Sequence, residues 1–393
     1  MKFSTDRILT THTGSLPRPP ALTRLYTDAA AGESVDADEF ERTAWNSVDE
    51  IVRRQTGAGL DIINNGEQTR EAFFLYVRNR VSGLGGSWNR PPQSDVERYP
   101  VFKERNRAAN AGKVAISGRE NVPKAIGPVH YLSTDAIEAE CTGFTDVLRG
   151  HDGKYAEAFM TAPSPGILAT SILNEYYDSM EAYLAALGTA LRNEYEAIVR
   201  NGYILQVDSP DLGLERHVTF HGRPLREFLD FAEMVIAAIN AALVNIPRDR
   251  VRLHVCWGNG ETPHDGDVPL RDILPVIRKA NVGGFVLPFA NGRHAYEYKH
   301  FAEMPLDDDQ VLVAGVIDTL TNIIEHPETV ADRLVRVAQA VGDPSRVLGG
   351  TDCGFDTSAG AGRVASDVVW AKLASLSEGA RIASRQLFGN WRG

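Results

Sequence analysis

Two segments of the chain contain the residue types that bind zinc. His254 and Cys256 are separated by one residue, and Cys353 lies about a hundred residues further along the chain. Side chains two positions apart on an extended strand point to the same face, and a second strand end can bring Cys353 beside them. One imidazole and two thiolates suit Zn2+, and three protein ligands leave the fourth position to a reactant. The spacing therefore predicts a catalytic site with Zn2+ as its cofactor.

A zinc ion bound there predicts thiol chemistry. The ion would deprotonate an incoming thiol, whose pKa is otherwise ~8.5, and would hold it as a nucleophilic thiolate. The alternative is structural, because buried cysteines often act as small hydrophobic side chains and a core histidine is often simply hydrogen-bonded. His-x-Cys at one strand end and Asp-Cys-Gly at another favour zinc over that alternative.

Two carboxylates form a second group of candidates. Glu67 follows Asn65 and Gly66 after one apolar run, and Asp208 lies in segment 206–210 after another. Two carboxylates above one site could clamp an ammonium group or act as general acid and base. We predict Glu67 and Asp208 as catalytic and substrate-binding residues. The alternative is that they cap the following helices, which suits Asp208 because helix N-termini favour anions.

A third group of candidates lies near the N-terminus, in segment 10–19. Gly14 and Ser15 offer N–H and hydroxyl donors to a substrate carboxylate. We predict Ser15 and His12 as substrate-binding residues. An ordinary turn before a proline-led segment fits the same residues and remains the alternative.

Two loops that follow later apolar runs add further polar candidates. We predict Asn259 and Arg293 as substrate-binding residues and His294 as a catalytic residue, because each stands just beyond a predicted strand. His264 is close in sequence to the predicted zinc pair. On its own, however, it has the character of a solvated loop histidine.

Composition and charge narrow the class of protein. The chain has 393 residues, of which 43% are hydrophobic and 24% are charged, as in soluble globular enzymes. Its net charge of −11 argues against nucleic acid or an anionic membrane as the main partner, since both require a basic surface. An anionic substrate would need a local cluster of arginine or lysine. We expect small-molecule partners, namely a thiol and an alkyl donor.

The same data indicate a cytoplasmic protein. No apolar run reaches the length of a membrane span, and the N-terminus has no signal-peptide pattern. Three sparsely spaced cysteines do not form a disulfide framework, which indicates a reducing compartment. Helices on the outside of such a fold commonly supply dimer surfaces, so a homodimer is compatible with the sequence.

The elements that must position these residues form a regular series. Eight short apolar runs are predicted as strands, at 7–11, 60–64, 159–162, 203–207, 251–256, 284–289, 311–317 and 346–349. Amphipathic segments are predicted as helices at 36–56, 171–200, 224–244, 322–341 and 365–387. This alternation indicates an α/β fold, and eight units favour a closed (β/α)8 TIM barrel over an open doubly wound sheet. In such a barrel the catalytic groups lie at the C-terminal ends of the strands.

One stretch, residues 76–155, does not fit a bare barrel. It contains Gly- and Pro-rich segments, two runs at 113–117 and 125–131 that could pair antiparallel, and a predicted helix at 134–148. Long excursions of this kind are usually functional, so we expect it to cap the barrel mouth after the second strand. It is too poor in apolar residues to be an independent domain, and we predict one domain over 1–393.

Together these segments resemble the catalytic, C-terminal half of cobalamin-independent methionine synthase, and more closely the short, single-barrel members of that family. Epoxyalkane:coenzyme M transferase belongs to the same broad group. The resemblance covers nearly the whole chain. Its motifs are Thr-Gly-Ser-Leu-Pro-Arg-Pro at 13–19, Asn-Gly-Glu at 65–67, Gln-Val-Asp-Ser-Pro at 206–210, His-Val-Cys-Trp-Gly-Asn at 254–259, Ala-Asn-Gly-Arg-His at 290–294, Gly-Val-Ile-Asp at 315–318, Glu-His-Pro-Glu at 325–328 and Thr-Asp-Cys-Gly-Phe at 351–355.

The resemblance implies a (β/α)8 barrel that transfers an alkyl group, usually methyl, to or from a zinc-bound thiolate such as that of homocysteine. It implies that the zinc ligands are His254, Cys256 and Cys353. Glu67 and Asp208 match positions that hold a substrate amino group. Ser15, with its neighbouring backbone, matches the segment that binds the substrate carboxylate.

The chain departs from the family at two positions. Methionine synthases carry a glutamate ligand on the strand after the His-x-Cys strand, where this chain has Pro288, and the usual Asp-Gly-Glu is Asn-Gly-Glu at 65–67. Proline cannot bind metal, so either zinc has three protein ligands plus water or substrate, or the site has changed its function or lost its metal. Two other functions stay open: a zinc-dependent lyase or hydrolase, including epoxyalkane:coenzyme M transferase-type chemistry, and a binding protein with a degenerate barrel.

Overall fold

The computed structural model describes residues 1–389, and residues 390–393, which the predicted domain over 1–393 includes, lie outside the described residues. The β-strands are Ile62–Ile63 (β1), Leu84–Trp88 (β2), Val122–Ala125 (β3), Glu157–Pro163 (β4), Leu173–Asn174 (β5), Ile204–Asp208 (β6), Val251–His254 (β7), Gly284–Pro288 (β8), Val311–Ile317 (β9) and Val347–Thr351 (β10). The α-helices are Pro20–Ala30 (α1), Ala37–Gly57 (α2), Ser94–Arg98 (α3), Pro100–Asn110 (α4), Asp135–Arg149 (α5), Pro165–Ser171 (α6), Met180–Arg200 (α7), Asp211–Leu214 (α8), Leu225–Ala242 (α9), Leu270–Ile277 (α10), Pro327–Val341 (α11) and Ser366–Leu387 (α12). Within residues 1–389, no helix is both long enough and apolar enough to pass through a bilayer.

Seven strands form one parallel sheet in the order β1-β4-β6-β7-β8-β9-β10. Both edges of this sheet contact segment 9–11, because Gly349 N donates to Leu9 O at 2.8 Å and Ile62 N donates to Thr10 O at 2.9 Å. The sheet is therefore curled, with its two edges brought to the same segment. Its strands coincide with seven of the eight predicted runs.

The first predicted strand, 7–11, forms only an isolated bridge between Thr10 and Gly349. Its N–H groups are largely engaged by side chains, since Leu9 N donates to Ser4 Oγ at 3.0 Å and Thr10 N to Asp61 Oδ2 at 2.8 Å. These bonds replace the regular ladder of a strand. The structure thus contains a curled seven-stranded sheet where the sequence predicted eight regular strands.

Apolar side chains fill the interior of the curled sheet. They are Leu9, Ile62, Phe159, Ile204, Val286, Val311, Val313 and Leu348. Arg252 of β7 is a buried charged residue in the same interior, with its guanidinium carbon 3.8 Å from the centroid of the Phe159 ring. Its Nε donates to Gln206 Oε1 at 2.8 Å, so Arg252 supports a side chain that reaches the site described below.

The excursion 76–155 pairs differently from the prediction. β2 pairs antiparallel with β3, and β3 pairs parallel with β5. The predicted pairing of 113–117 with 125–131 is wrong: 113–117 forms no strand and its Val114 is 65% exposed, whereas Leu84 and Trp88 of β2 pack on the core. The predicted helix at 134–148 is present as α5, and α3 and α4 were not predicted.

Two helices start later than predicted because of their caps. α7 begins at Met180 rather than at 171, since Ser179 Oγ accepts from Ala182 N at 3.1 Å. α11 begins at Pro327 rather than at 322, where the His326 side chain accepts from a backbone N–H at 3.2 Å. The other three predicted helices agree with α2, α9 and α12 to within two residues at each end.

Candidate metal centre and its pocket

The end of β7 and the turn after β10 bring together the three predicted zinc ligands. His254, Cys256 and Cys353 place their ligand atoms within 4.8 Å of one another. All three residues are buried, with 4%, 4% and 8% of their surface exposed. They form a compact donor group of one nitrogen and two sulfur atoms, a combination that suits zinc.

Asp208 fixes the orientation of the His254 ring. Nδ1 of His254 lies 3.1 Å from Asp208 Oδ1, and the same oxygen accepts from Gln206 Nε2 at 2.7 Å. Nε2 of His254 is buried and has no hydrogen-bond partner among residues 1–389. An imidazole that is held by a carboxylate through one nitrogen and unpaired at the other has the usual arrangement of a metal-binding histidine.

The two thiols differ in their affinity for a proton. The hydrogen bond with Cys353 and the nearby His254 hold the pKa of Cys256 well below the usual thiol value, although burial opposes that shift. The same hydrogen bond and burial raise the pKa of Cys353 well above that value. Burial lowers the pKa of His254, but Cys256 and Asp208 outweigh this effect and raise it to about 10. The group therefore already favours one thiolate, which is the form of cysteine that binds metal.

Pro288, at the end of β8, lies beside this donor group. With Asp318 and Asp352 it lines a cavity of about 30 Å3 that also borders both cysteines. The Asp352 carboxylate accepts from the backbone N–H groups of residues 289–291 at 3.0, 2.9 and 2.6 Å. The Pro288 side chain has no donor atom and Asp352 is engaged by the backbone, so within residues 1–389 the ligand atoms that lie within 4.8 Å of one another here are those of His254, Cys256 and Cys353.

Glu67 lies on a strained turn and reaches a larger pocket that His254, Cys256 and Cys353 also line. Gly66 and Glu67 both have left-handed backbone angles, with φ of 63° and 57°. Thr161 donates to Glu67 Oε1 at 2.9 Å, whereas Oε2 is buried and has no protein partner in the described chain. Burial and repulsion from Asp208 raise the pKa of Glu67 to about 7. A non-glycine residue held at positive φ is typical of functional sites.

Ser15 is tied to the segment after β10. Its Oγ accepts from the Asp356 N–H at 3.3 Å, and its carbonyl accepts from the Phe355 N–H at 2.8 Å. The preceding Gly14 has φ of 142° and packs so closely on Glu67 that a Cβ atom would stand 2.7 Å from Oε1. Glycine at position 14 therefore allows the Ser15 segment and the Glu67 turn to meet in the pocket.

One pocket with a volume of about 450 Å3 contains most of these residues in its wall. The predicted residues in the wall are Ser15, Glu67, Asp208, His254, Cys256, Asn259 and Cys353. The excursion 76–155 also contributes to the wall, through Arg90, Gln93, Asn106 and Arg119. Metal donors, carboxylates and hydroxyl groups thus face one pocket large enough for small substrates.

Three arginines in the pocket wall were not predicted. Arg90 forms an ion pair with Glu215, and Arg363 lies 3.7 Å from Glu261. Arg119 donates to a backbone carbonyl, and burial together with repulsion from Arg90 lowers its pKa to about 10. These arginines lie in loops without a periodic pattern, so the neighbouring sequence did not indicate that they line a pocket. Arg119, which lies near Arg90 and has no ion pair within residues 1–389, is the cation available to an anionic substrate.

Other predicted residues lie outside the lining of this pocket. His12 is buried, its Nε2 lies 2.8 Å from Gln55 Oε1, and burial lowers its pKa to about 3. Arg293 is exposed. His294 is buried and lines the small cavity beside Pro288. The structure gives no direct contact between these side chains and the main pocket.

His264 is not the solvated loop histidine that the sequence predicted. It is 5% exposed, its Nδ1 lies 2.8 Å from Asp267 Oδ2, and its Nε2 lies 2.8 Å from Gly260 O. Asp95 of the excursion also accepts from its backbone N–H at 2.8 Å. The prediction was wrong because residues of a distant segment bury this loop, which local sequence does not reveal.

Comparison with known proteins relates the whole chain to methionine synthases. No family model matches the chain. A methionine synthase of Saccharolobus islandicus is 23% identical over 380 residues, which cover 96% of this chain and 95% of that protein. A 2-hydroxypropyl-CoM lyase of Xanthobacter autotrophicus is 24% identical over 416 aligned residues, covering 97% of this chain and 96% of that protein.

Among solved structures, a B12-independent methionine synthase from Shewanella sp. W3-18-1, in complex with selenomethionine, has a TM-score of 0.73. The two chains are 20% identical, and the match covers 98% of this chain and 99% of that chain. The two proteins therefore share a fold. The chain is similar to methionine synthases over nearly its full length. This similarity confirms the expectation of a methyltransferase-like enzyme.

Proposed function

We propose that this protein is a zinc-dependent enzyme that transfers an alkyl group, usually methyl, to or from a small thiol such as homocysteine. The observation that carries the proposal is the buried donor group of His254, Cys256 and Cys353 in the wall of a pocket that also contains Glu67 and Asp208. The similarity to methionine synthases supports it. We assign the chain on this basis to the cobalamin-independent methionine synthase type.

The same proposal includes a closed (β/α)8 barrel in which segment 9–11 takes the place of the eighth strand. Its hydrogen bonds to both edges of the curled sheet support this interpretation. The pocket then lies at the C-terminal ends of the strands, since Asp208, His254 and Thr351 each end a strand. We treat 1–393 as one domain with 76–155 as an inserted cap, because Arg90 and Arg119 stand in the pocket wall.

His254 Nε2 and the sulfur atoms of Cys256 and Cys353 would hold Zn2+. These residues fit the ion because the nitrogen is buried and unpaired and one of the thiols already favours ionisation. Zinc, when bound, would lower the pKa of a substrate thiol so that the thiolate predominates near neutral pH. Pro288, whose side chain has no donor atom, would add no further protein ligand.

Glu67 and Asp208 would bind the amino group of the thiol substrate. Oε2 of Glu67 has no partner in residues 1–389, and Asp208 uses Oδ1 for His254, which leaves Oδ2 for a ligand. Burial and repulsion from Asp208 raise the pKa of Glu67 to about 7, and an ammonium group between the two carboxylates would offset that repulsion. Ser15 and its neighbouring backbone would bind the substrate carboxylate, and these contacts would orient the thiol toward the cysteines.

The alkyl donor would occupy the part of the pocket that the excursion lines. Arg119 has a backbone carbonyl as its hydrogen-bond acceptor, and its guanidinium lies near that of Arg90. An anionic group on the donor would relieve this repulsion between two cations. We therefore expect the donor to carry a carboxylate, phosphate or sulfonate.

Metal analysis of the purified full-length protein tests the proposal. Cys353→Ser should lower the zinc content by about one equivalent and abolish methyl transfer to homocysteine. Cys141→Ser is the matched control, because Cys141 is also buried but contacts Met160 in the core, away from the pocket. A wild-type zinc content below about half an equivalent, unchanged in Cys353→Ser, would overturn the proposal.

A second candidate function is a lyase or hydrolase that uses the same residues on a small substrate. The relative named 2-hydroxypropyl-CoM lyase and the three-ligand donor group favour it. In such an enzyme the metal polarises a substrate oxygen or activates water. Turnover of a candidate substrate without any added thiol would support this candidate, whereas methyl transfer to homocysteine without such turnover would favour the first proposal.

A further inference from the structure

A second cluster of metal-binding residue types lies outside the main pocket, around Asp267. His217 Nδ1 lies 2.6 Å from Asp267 Oδ1, while His264 Nδ1 and His294 Nε2 each lie 2.8 Å from Oδ2. The four side chains are 1–7% exposed. The three histidines come from separate segments, after α8, after β7 and after β8.

Each of these imidazoles has its outer nitrogen held by a separate partner. His264 Nε2 lies 2.8 Å from Gly260 O, and His294 Nδ1 lies 3.0 Å from Glu297 Oε2. His217 Nε2 lies 3.3 Å from the amide group of Gln93. A partner on the outer nitrogen fixes the tautomer and turns the other nitrogen inward, and this is the usual environment of a metal-binding histidine.

The Asp267 carboxylate lies at the centre of the cluster. Its Oδ1 pairs with His217 Nδ1 at 2.6 Å, and its Oδ2 lies 2.8 Å from both His264 Nδ1 and His294 Nε2. A carboxylate oxygen with two imidazole nitrogens turned toward it offers the donor atoms that a divalent metal ion takes. The inward atoms of His264, Asp267 and His294 also lie within 4.8 Å of one another, as the ligands of one ion must.

We propose that His264, Asp267 and His294 form a second divalent-metal site, with Zn2+ as its preferred ion. Two imidazole nitrogens and one carboxylate suit that ion, and the site differs from the candidate catalytic centre in containing no sulfur. His217, whose Nδ1 lies 2.6 Å from Asp267 Oδ1, would hold the carboxylate in place for the ion. The ion would fasten the loop after β7 to the loop after β8.

This second site would stabilise the candidate catalytic centre through Trp257. The Trp257 ring stacks on His294 with a centroid separation of 3.9 Å and an angle of 17°, and its Nε1 donates to Val268 O at 2.7 Å. Trp257 directly follows Cys256 in the chain. Ordering of His294 by a metal therefore restricts the backbone that carries one of the proposed zinc ligands. His294 is a positioning residue in this scheme.

Cobalt substitution separates the two sites, because a thiolate ligand gives a sulfur-to-cobalt charge-transfer band and a nitrogen–oxygen site does not. The metal-free full-length protein should bind two equivalents of Co2+, of which one produces that band. The double variant Cys256→Ser/Cys353→Ser should keep one equivalent and show only weak visible d–d bands. His264→Ala and Asp267→Ala should each lose one equivalent and retain the charge-transfer band.

The matched control is His151→Ala, since His151 is also a largely buried histidine that faces a carboxylate, with its Nε2 3.3 Å from Asp49 Oδ1. This variant should keep both equivalents. The double cysteine variant decides the question even if a cluster variant fails to fold. If the double cysteine variant binds less than about half an equivalent of Co2+, hydrogen bonds alone hold the side chains around Asp267 together, and the second metal site does not exist. Full Co2+ binding by a folded His264→Ala variant would refute the assignment equally.

Discussion

Gly354 lies directly against Ser15, so that a Cβ atom on Gly354 would stand 2.1 Å from Ser15 Oγ. The contact joins the proposed carboxylate-binding residue to the segment of Cys353. We expect Gly354→Ala to displace the Ser15 side chain, because overpacking of a close contact costs about 1–3 kcal/mol. The KM for homocysteine should rise about 10-fold if one hydrogen bond to the carboxylate is lost.

Gly292→Ala is the matched control for that substitution, since a Cβ atom there meets no atom within 4 Å. It should leave the KM unchanged. Steady-state kinetics on both variants, with zinc content measured in parallel, separates a substrate effect from loss of metal. An unaltered KM in a folded Gly354→Ala variant would remove Ser15 from the proposed substrate site.

The contact between Asp208 and His254 gives a prediction about metal affinity. Asn at position 208 can still accept a hydrogen bond from His254 Nδ1, which lies 3.1 Å away, but it removes the negative charge. Loss of such a partner typically weakens metal binding by about 10- to 100-fold. We expect this weakening for Asp208→Asn in a Co2+ titration followed by the charge-transfer band. Asp49→Asn, beside His151, should bind Co2+ as the wild type does.

The unpaired oxygen of Glu67 predicts how substrates are distinguished. Glu67→Gln keeps the side-chain shape but removes the charge that would pair with the amino group. The kcat/KM for homocysteine should fall about 100-fold, within the range for a buried charged contact. With 4-mercaptobutyrate, which lacks the amino group, wild type and variant should be nearly equal.

Glu71→Gln serves as the control for Glu67→Gln, because Glu71 is buried nearby but pairs with Arg78 at 2.6 Å and does not line the pocket. It should preserve the preference for homocysteine. Equal losses of Glu67→Gln on both thiols would show that Glu67 supports the fold of the pocket and does not recognise the amino group.

Local sequence was enough to predict the parts of the site that depend on strand geometry. The i, i+2 spacing of His254 and Cys256 predicts a shared face, and the structure brings the third predicted ligand, Cys353, beside them from the turn after β10. Seven strands were also predictable, since buried parallel strands are nearly continuous apolar runs. The role of these residues in metal binding stays a prediction until zinc is measured.

Features that depend on contacts between distant segments were not predictable. Gln93 and His217 come together only through the fold of the excursion, so the cluster at Asp267 could not be anticipated and His264 was misjudged. The strand 84–88 was missed because Gly85 and Gly86 interrupt its apolar pattern, yet it pairs with β3. The loop arginines of the pocket likewise have no periodic signal.

Asp211 gives a prediction about stability and pH. Its Oδ1 accepts from Ser164 Oγ at 2.8 Å and from Ser209 Oγ at 2.9 Å, whereas Oδ2 is buried without a partner in the described chain. Burial raises its pKa to about 7, although the serine hydroxyls oppose the shift. Below about pH 4 both folded and unfolded chains hold the proton, and between about pH 4 and 7 only the folded chain does. Stability should therefore fall by a few kcal/mol as pH rises through this window and level off above it.

Asp211→Asn should remove this part of the pH dependence, because a neutral amide has no charge to bury. Near pH 5 the thermal midpoint of the variant should be close to that of the wild type, apart from the effect of its altered hydrogen bonds. Near pH 8 the thermal midpoint of the variant should be higher. Asp230→Asn, at an exposed position that pairs with Arg226, should follow the wild-type curve throughout. Thermal unfolding of the three proteins across this pH range makes the comparison. If the thermal midpoints of Asp211→Asn and the wild type changed with pH in the same way, Asp211 would be ionised in the folded protein at neutral pH. Its pKa would then not be raised by burial.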